Sequence, residues 1–274
     1  MTEVSETTLR RGVSIIFALG GEEALRGHGL GMTRVAEIVG REKSQVSRTL
    51  KTLVDCGALE RDAQTLHYRL SWQLFALAAR GGDRRLAEVA APLLERLVGR
   101  LGETAHLSVR QGAEVLTVAS RAPDRVVLAV GWVGRTTPAY CTSAGRALLM
   151  DHTAAQVRTL FAGVPFLPSG PNTPSTVDDL LPRLADAGRR GYAVTEEEHE
   201  PGLTGVAAPI RDQQGRVIAA LNISGPSFRL GADLAQAGQE VVRTALEVSG
   251  LLGAPPAAGD QIARVEQAGD SGCG

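Results

Sequence analysis

The sequence predicts an α+β chain: an N-terminal winged helix-turn-helix, a linker helix, and a second α+β domain built on an antiparallel sheet. Three observations carry this. Residues 33–54 hold two short helical faces hinged at a glycine. Two alternating segments follow at 59–61 and 66–70. From Thr104 to Ser224 the order is strands, helices, strands, flanked by helices, which is the pattern of an α+β domain.

The elements follow in chain order. Val13, Ile15, Ile16 and Leu19 mark a first helix. Val35, Ile38 and Val39 give a second its apolar face, and Gly40 ends it, because a residue without Cβ turns sharply at low cost. Val46, Leu50, Leu53 and Val54 recur at the helical period as a third, with Ser44 as its expected N-cap. Leu59–Arg61 and Leu66–Leu70 alternate as half-buried strands do, joined by a hairpin at Asp62–Thr65. Leu66, Tyr68 and Leu70 are placed on one face, His67 and Arg69 on the other.

The third helix turns Lys43, Ser44, Gln45, Ser47, Arg48 and Lys51 away from its apolar stripe. Such donor-rich side chains reach phosphates and base edges in a major groove. Of the 29 basic residues only Lys43 and Lys51 are lysines, and they sit at the two ends of this helix. The expected partner is double-stranded operator DNA. Gln45 and Arg48 are expected to read bases, and Lys43, Ser44 and Lys51 to hold phosphates. Arg61, His67 and Arg69 are candidates for wing contacts.

Composition narrows the function classes. The chain has 274 residues, 43% of them hydrophobic and 22% charged, within the range of globular proteins. A net charge of −1 excludes a generally basic coat protein, so DNA affinity must come from a local patch such as residues 41–51. No apolar run is long enough for a bilayer and no signal peptide opens the chain, so a cytoplasmic protein without membrane contact is expected. The three cysteines and five histidines are scattered, without metal-ligand spacing. No cofactor, metal or catalytic residue is expected.

Trp72, Phe75 and Leu77 lie on a short linker helix before Gly81-Gly82, and Leu86, Val89, Ala90, Leu93, Leu97 and Leu101 form the next helix. Trp72, Phe75 and Leu77 need a partner, and a second copy of the chain is the economical one. Strands are expected at Thr104–Val109, with His106 and Ser108 on one face, and at Val115–Ser120 and Val126–Trp132. Ser143–Met150, Ala155–Phe161 and Val177–Arg190 read as helices. Tyr192–Thr195, Gly205–Ile210 and Arg216–Ser224 read as strands, the last two joined by a turn at Gln213–Gly215, and Ala232–Leu252 as a closing helix. The resulting domains are 1–71 (winged helix-turn-helix), 72–86 (linker helix and hinge) and 87–254 (effector binding). The tail at 255–274, rich in Ala, Gly, Pro and Asp, is expected to be disordered.

At this point the chain resembles the IclR family of bacterial transcription regulators over about residues 8–250. The resemblance rests on the Ser44-Gln-Val-Ser-Arg48 helix and on Thr142-Ser-Ala-Gly-Arg-Ala-Leu-Leu149, Gly191-Tyr-Ala-Val194, Glu200-Pro-Gly202, Ala207-Ala-Pro209 and Ala220-Leu-Asn-Ile-Ser-Gly-Pro226, in that order. It implies a GAF-like effector domain that binds a small organic acid, and homodimers or dimers of dimers on palindromic operators near catabolic genes. Repressors and activators both fit. The family's pocket positions fall on Val126, Ala129, Ser143, Ala144, Thr195, Leu203, Gly205, Asn222 and Ser224. Gly205 stands where the family usually has a cysteine, and Thr195 where an acidic residue is common.

The pocket chemistry is legible in the residues. The first N–H groups of the helix opening at Ser143-Ala144-Gly145 lack intrahelical partners and suit a carboxylate. Gly205 is expected to leave extra room, and Asn222 a polar far end. A hydroxylated aromatic acid such as a hydroxybenzoate then fits better than glyoxylate or pyruvate. The run Glu196–Glu200 reads as a solvated loop rather than a metal site. Two other classes stay open: an enzyme with a winged-helix interaction module, and a DNA-binding protein indifferent to ligands. Gly-x-Ser-x-Gly, P-loop and His-Glu-x-x-His motifs are absent.

Overall fold

The computed structural model describes residues 7–78, 84–123 and 132–255. The chain divides into two compact units, Met1–Arg84 and Arg85–Gly274.

In the first unit α1 (Thr8–Gly20), α2 (Glu22–Arg26), α3 (Met32–Val39) and α4 (Lys43–Asp55) precede a hairpin of β1 (Leu59–Arg61) and β2 (Tyr68–Leu70), and α5 (Trp72–Ala78) follows. Ile15 and Leu19 of α1, Val35 and Ala36 of α3, and Val46 and Leu50 of α4 meet Leu59 and Tyr68 in one core. Gly40 adopts φ +64°, its own N–H bonds Glu37 O, and the following N–H, from Arg41, reaches Ala36 O at 3.0 Å. That closes α3 with a left-handed cap, as the sequence predicts.

Three expectations change here. Ser44 is not the cap of α4: Glu42 occupies that position, without a side-chain cap bond, and Ser44 is already helical. Leu66 is not on the strand: it takes φ +58° in the loop and is exposed. The cause is Asp62, whose carboxylate accepts from the Gln64 and Thr65 N–H groups and the Thr65 hydroxyl, winding residues 62–67 into a longer turn. The unforeseen α2 is five residues long between two glycines, too short to show a period.

The second unit opens with α6 (Arg84–Leu101) and holds, among the described residues, a six-stranded, wholly antiparallel sheet of β3 (Thr104–Gln111), β4 (Glu114–Arg121), β5 (Thr136–Pro138), β6 (Ala193–Glu196), β7 (Leu203–Arg211) and β8 (Val217–Pro226). Its order is β5-β4-β3-β8-β7-β6. Between β5 and β6 lie α7 (Ser143–Leu148), α8 (Ala154–Leu160) and α9 (Val177–Arg190); α10 (Ser227–Leu230) and α11 (Leu234–Leu251) follow β8.

Alternation assigns the two faces. Ala105, Leu107, Val206, Ala208, Ile210, Leu221 and Ile223 pack against α6 and α11. Val115, Ala207 and Ala220 face α7, α8 and α9. Three residues of β5 ending in proline gave no alternation to read. The expected strand Val126–Trp132 falls almost wholly outside the described residues, and Trp132 itself is not in a strand; the Gly81-Gly82 hinge and residues 256–274 also lie outside them. No described helix is long and apolar enough to cross a membrane.

Candidate nucleic-acid interface and effector cavity

On α4, Val46, Thr49 and Leu50 are buried, which fixes the opposite face. Lys43, Ser44, Ser47, Arg48 and Lys51 are exposed on it. Gln45 departs from the expectation: it is half-buried and, with Arg48, lines the groove between α1 and α4. In the wing, Arg69 is held by Glu60 at 2.9–3.0 Å, and the Arg61 guanidinium lies 5.3 Å from the centre of the Tyr68 ring.

The second unit carries a half-open cavity on the sheet face beneath α7, about 550 Å³ with the solvent at its mouth included. Ser143, Ala144, Thr195, Leu203, Gly205, Asn222 and Ser224 all line it. The remaining two expected positions, Val126 and Ala129, lie outside the described residues. The register explains the convergence. Thr195 pairs with Gly205, Gly205 with Ser224, and Asn222 with His106, so these side chains stand on one face of four neighbouring strands.

Eight lining residues were not anticipated. His106 and Ser108 come from β3, Val115 and Thr117 from β4, and Thr137 from β5. Trp132, Thr142 and His199 complete them. The shared face of His106 and Ser108 was the available signal; the others required the sheet order. Among the described lining residues none is Asp, Glu, Lys or Arg.

Hydrogen bonds order this wall. His106 Nε2 lies 3.1 Å from Ser224 Oγ, and the Ser108 hydroxyl donates to Asn222 Oδ1 at 3.4 Å. His106 Nδ1 is buried with no partner. Burial pushes the His106 imidazole down to about 4, so it is neutral at physiological pH. His199 is also lowered by burial. The Trp132 ring lies 6.0 Å from that of His106 and 6.2 Å from that of His199.

Thr142 caps α7: its hydroxyl accepts from the Gly145 N–H at 3.2 Å, and its carbonyl from the Arg146 N–H at 3.1 Å. The N–H groups of Ser143 and Ala144 have no intrahelical acceptor. Gly145 is required by close approach, since a Cβ there would lie 2.1 Å from Ala139 O.

Gly205 does not leave the expected room. A Cβ there would lie 2.8 Å from Ser143 Oγ and 3.1 Å from Thr195 Oγ1, so these two hydroxyls already fill the space. The acidic run is not simply solvated either. Glu198 is buried against Arg146 and is 2.9 Å from Arg183, while Arg146 also donates to Val194 O at 2.8 Å. Among the described residues no cluster of His, Cys, Asp and Glu could hold a metal ion.

A winged helix with an exposed basic helix, on one chain with a sheet that lines a cavity bearing no charged side chain among its described residues, defines a transcription regulator with an effector-binding domain. Residues 8–63 match the model of the IclR helix-turn-helix domain, and residues 82–250 that of the bacterial transcriptional regulator IclR C-terminal domain. The chain belongs to the IclR family. It is 29% identical over 231 residues to the HTH-type transcriptional regulator XynR of Escherichia coli K12, covering 82% of this chain and 90% of that one. It is 31% identical over 231 residues to the HTH-type transcriptional repressor AllR of Salmonella typhimurium LT2, covering 82% and 85%. These relatives are regulators rather than enzymes. Among solved structures, an IclR homologue from Microbacterium hydrocarbonoxydans complexed with 4-hydroxybenzoate is similar, with a TM-score of 0.74, 26% identity, and 90% and 99% of the two chains covered. A regulator from Alicyclobacillus acidocaldarius matches with a TM-score of 0.72 and 25% identity, covering 90% and 98%.

Proposed function

We propose that this regulator senses a small carboxylic acid and controls a catabolic operon through that signal. The observation that carries the reading is the cavity: among the described residues its lining bears no charged side chain, and the Ser143 and Ala144 N–H groups at the start of α7 lack intrahelical acceptors. Such a site holds an anion by oriented dipoles rather than by a counter-charge. The complex of a relative with 4-hydroxybenzoate supports an aromatic acid. With Gly205 no longer a source of room, the case for an aromatic ligand rests on the Trp132, Val115 and Leu203 walls.

The proposed working form is a cytoplasmic homodimer or dimer of dimers, with residues 72–86 as the linker and hinge. Trp72 and Leu77 are 74% and 67% exposed in the single chain, and a second copy would cover them. Light scattering should give at least a dimer at micromolar concentration.

The deciding experiment is a mobility-shift assay on DNA flanking the protein's own gene, with a panel of aliphatic and aromatic acids. An acid that changes the shift without being consumed supports the reading. A shift indifferent to every acid favours a ligand-independent DNA-binding protein, and turnover of an acid an enzyme.

A further inference from the structure

Among the described residues that line the cavity only His106 and His199 are titratable. They differ in what is left for a ligand. His106 is 4% exposed, its Nε2 lies against Ser224 Oγ, and its Nδ1 is sealed within the protein. His199 is half-buried, and its two ring nitrogens have different surroundings. Nδ1 lies 3.8 Å from the sulfur of Cys141, a buried residue behind the lining. Nε2, at the other edge of the ring, meets no donor or acceptor among the described residues and is not sealed from solvent.

The loop that carries this ring is fixed in place. Glu198 is buried against Arg146 and lies 2.9 Å from Arg183. Its carbonyl accepts from the Thr173 hydroxyl at 2.6 Å, and the Glu197 carbonyl accepts from the Asn172 N–H at 3.2 Å. A Cβ on Gly170 would lie 2.1 Å from that Glu197 oxygen, so the two segments are in backbone contact. The Trp132 ring, another part of the lining, lies 6.2 Å from that of His199. The imidazole is thus held between Cys141 and Trp132 with one nitrogen free.

Proton positions follow from the neighbours. Burial pushes the Cys141 thiol up to about 12, so it keeps its hydrogen, which it donates to Pro138 O at 3.8 Å. The sulfur then accepts from His199 Nδ1–H, and Nε2 of the neutral ring presents a lone pair. A lone pair repels a carboxylate, whereas a proton added there attracts it by charge and as an N–H donor. Burial lowers His199, so the ring of the free protein is neutral at physiological pH. Of the glutamates on its loop, Glu200 favours the proton and Glu198 is taken by Arg146 and Arg183. Arg135 lies over the Trp132 ring, 6.0 Å from its centre, and His106 on β3 is neutral. An anion brought beside such a base raises it by about one to three pH units.

We infer that His199 is an effector-binding residue: its Nε2 opens on the cavity and holds the effector's carboxylate as an N–H donor, the ring taking one proton from solvent as the acid binds. The inference rests on the carboxylate-effector reading above. Anion, proton and neutral imidazole give a carboxylate–imidazolium pair of no net charge. The free site offers dipoles alone, and the counter-charge exists only in the complex.

The test is titration calorimetry of the full-length protein with 4-hydroxybenzoate, benzoate and pyruvate at pH 7, each in Pipes and in Tris, whose ionisation heats differ. The difference between buffers counts protons. These acids titrate at about 4 or below and stay ionised, so any uptake belongs to the protein. The wild type should take up about 0.5 proton or more per acid bound, and its affinity should rise roughly fivefold or more from pH 7.5 to 6.0. His199→Gln, which puts a neutral amide in place of the ring, should take up less than about 0.1 proton and keep its affinity within about twofold over that range. Nitrogen NMR of histidine-labelled wild type gives a readout independent of any variant's folding: the His199 ring should pass from the neutral to the imidazolium pattern when acid is added at pH 7. Binding without proton uptake, unchanged uptake in His199→Gln, or a ring that stays neutral overturns the role of His199 and leaves the effector reading standing. If none of the three acids binds, the carboxylate reading falls and this inference with it.

Discussion

Arg146 on α7 and Glu198 in the β6–β7 connection form an ion pair whose side chains are only 3% and 6% exposed. Arg183 on α9 approaches the same carboxylate from the other side. One buried glutamate thus ties together the helix over the cavity, a covering helix and the loop that carries His199.

Removing one member of such a pair leaves a buried charge uncompensated. Arg146→Met is expected to destabilise the protein by about 3–5 kcal/mol. Arg183→Ala should cost about 1 kcal/mol or less, because Arg183 is a third exposed and Arg146 remains. Adding Glu198→Gln to Arg146→Met should recover part of the loss. Urea denaturation measures all three, and a cost below about 1 kcal/mol for Arg146→Met contradicts the argument.

Two glycines should respond differently to a methyl group. At Gly145 a Cβ meets Ala139 backbone at 2.1 Å, which the flanking structure cannot yield without moving α7. At Gly40 nothing lies within 4 Å, and only the φ of +64° is strained. Gly40→Ala is expected to cost about 1–2 kcal/mol, and Gly145→Ala about 3 kcal/mol or more. Thermal melts that reverse this order would refute the packing account of Gly145.

The buried neutral His106 makes stability depend on pH. Its folded value is near 4, against an unfolded value of about 6.5. Between these the unfolded chain binds the extra proton, so stability is full above about pH 6.5 and declines as pH falls toward 4. The loss on going from pH 7 to 4.5 should be about 2–3 kcal/mol larger in wild type than in His106→Asn. His199 shifts in the same direction and stays common to both proteins. Identical acid profiles would show that His106 is not held neutral.

For α4, Lys51→Ala should weaken binding to all DNA sequences alike and reduce the salt slope by about one unit. Arg48→Ala should lose about 1–3 kcal/mol of discrimination at the bases it reads. Gln45 is half-buried beside α1, so Gln45→Ala is expected to disturb recognition less than Arg48→Ala. Footprints on wild-type and altered operators separate these cases. Wild-type binding by both basic-residue variants would exclude α4 as the reading helix.

What the sequence determined by itself was everything written with a period or a punctuation mark. Val46 and Leu50 at helical spacing, Gly40 as a left-handed cap, and the alternation of β7 and β8 are local facts, set by backbone sterics and the burial of one face. Seven of the cavity positions came from the family resemblance; five of them, Thr195, Leu203, Gly205, Asn222 and Ser224, stand on the sheet, and Ser143 and Ala144 line the cavity from the start of α7. Tertiary structure alone decided the rest. Asp62 captured three donors and pulled Leu66 off the wing strand. Ser143 and Thr195 hydroxyls filled the space a glycine at 205 had seemed to open. Glu198 left an acidic run to meet two arginines from different helices. His106 became an orphan donor-acceptor only because β8, far along the chain, pairs with β3 and offers it a single partner, Ser224. Each outcome depends on which distant atoms arrive next to a residue, and a linear pattern records only the residue's own neighbours.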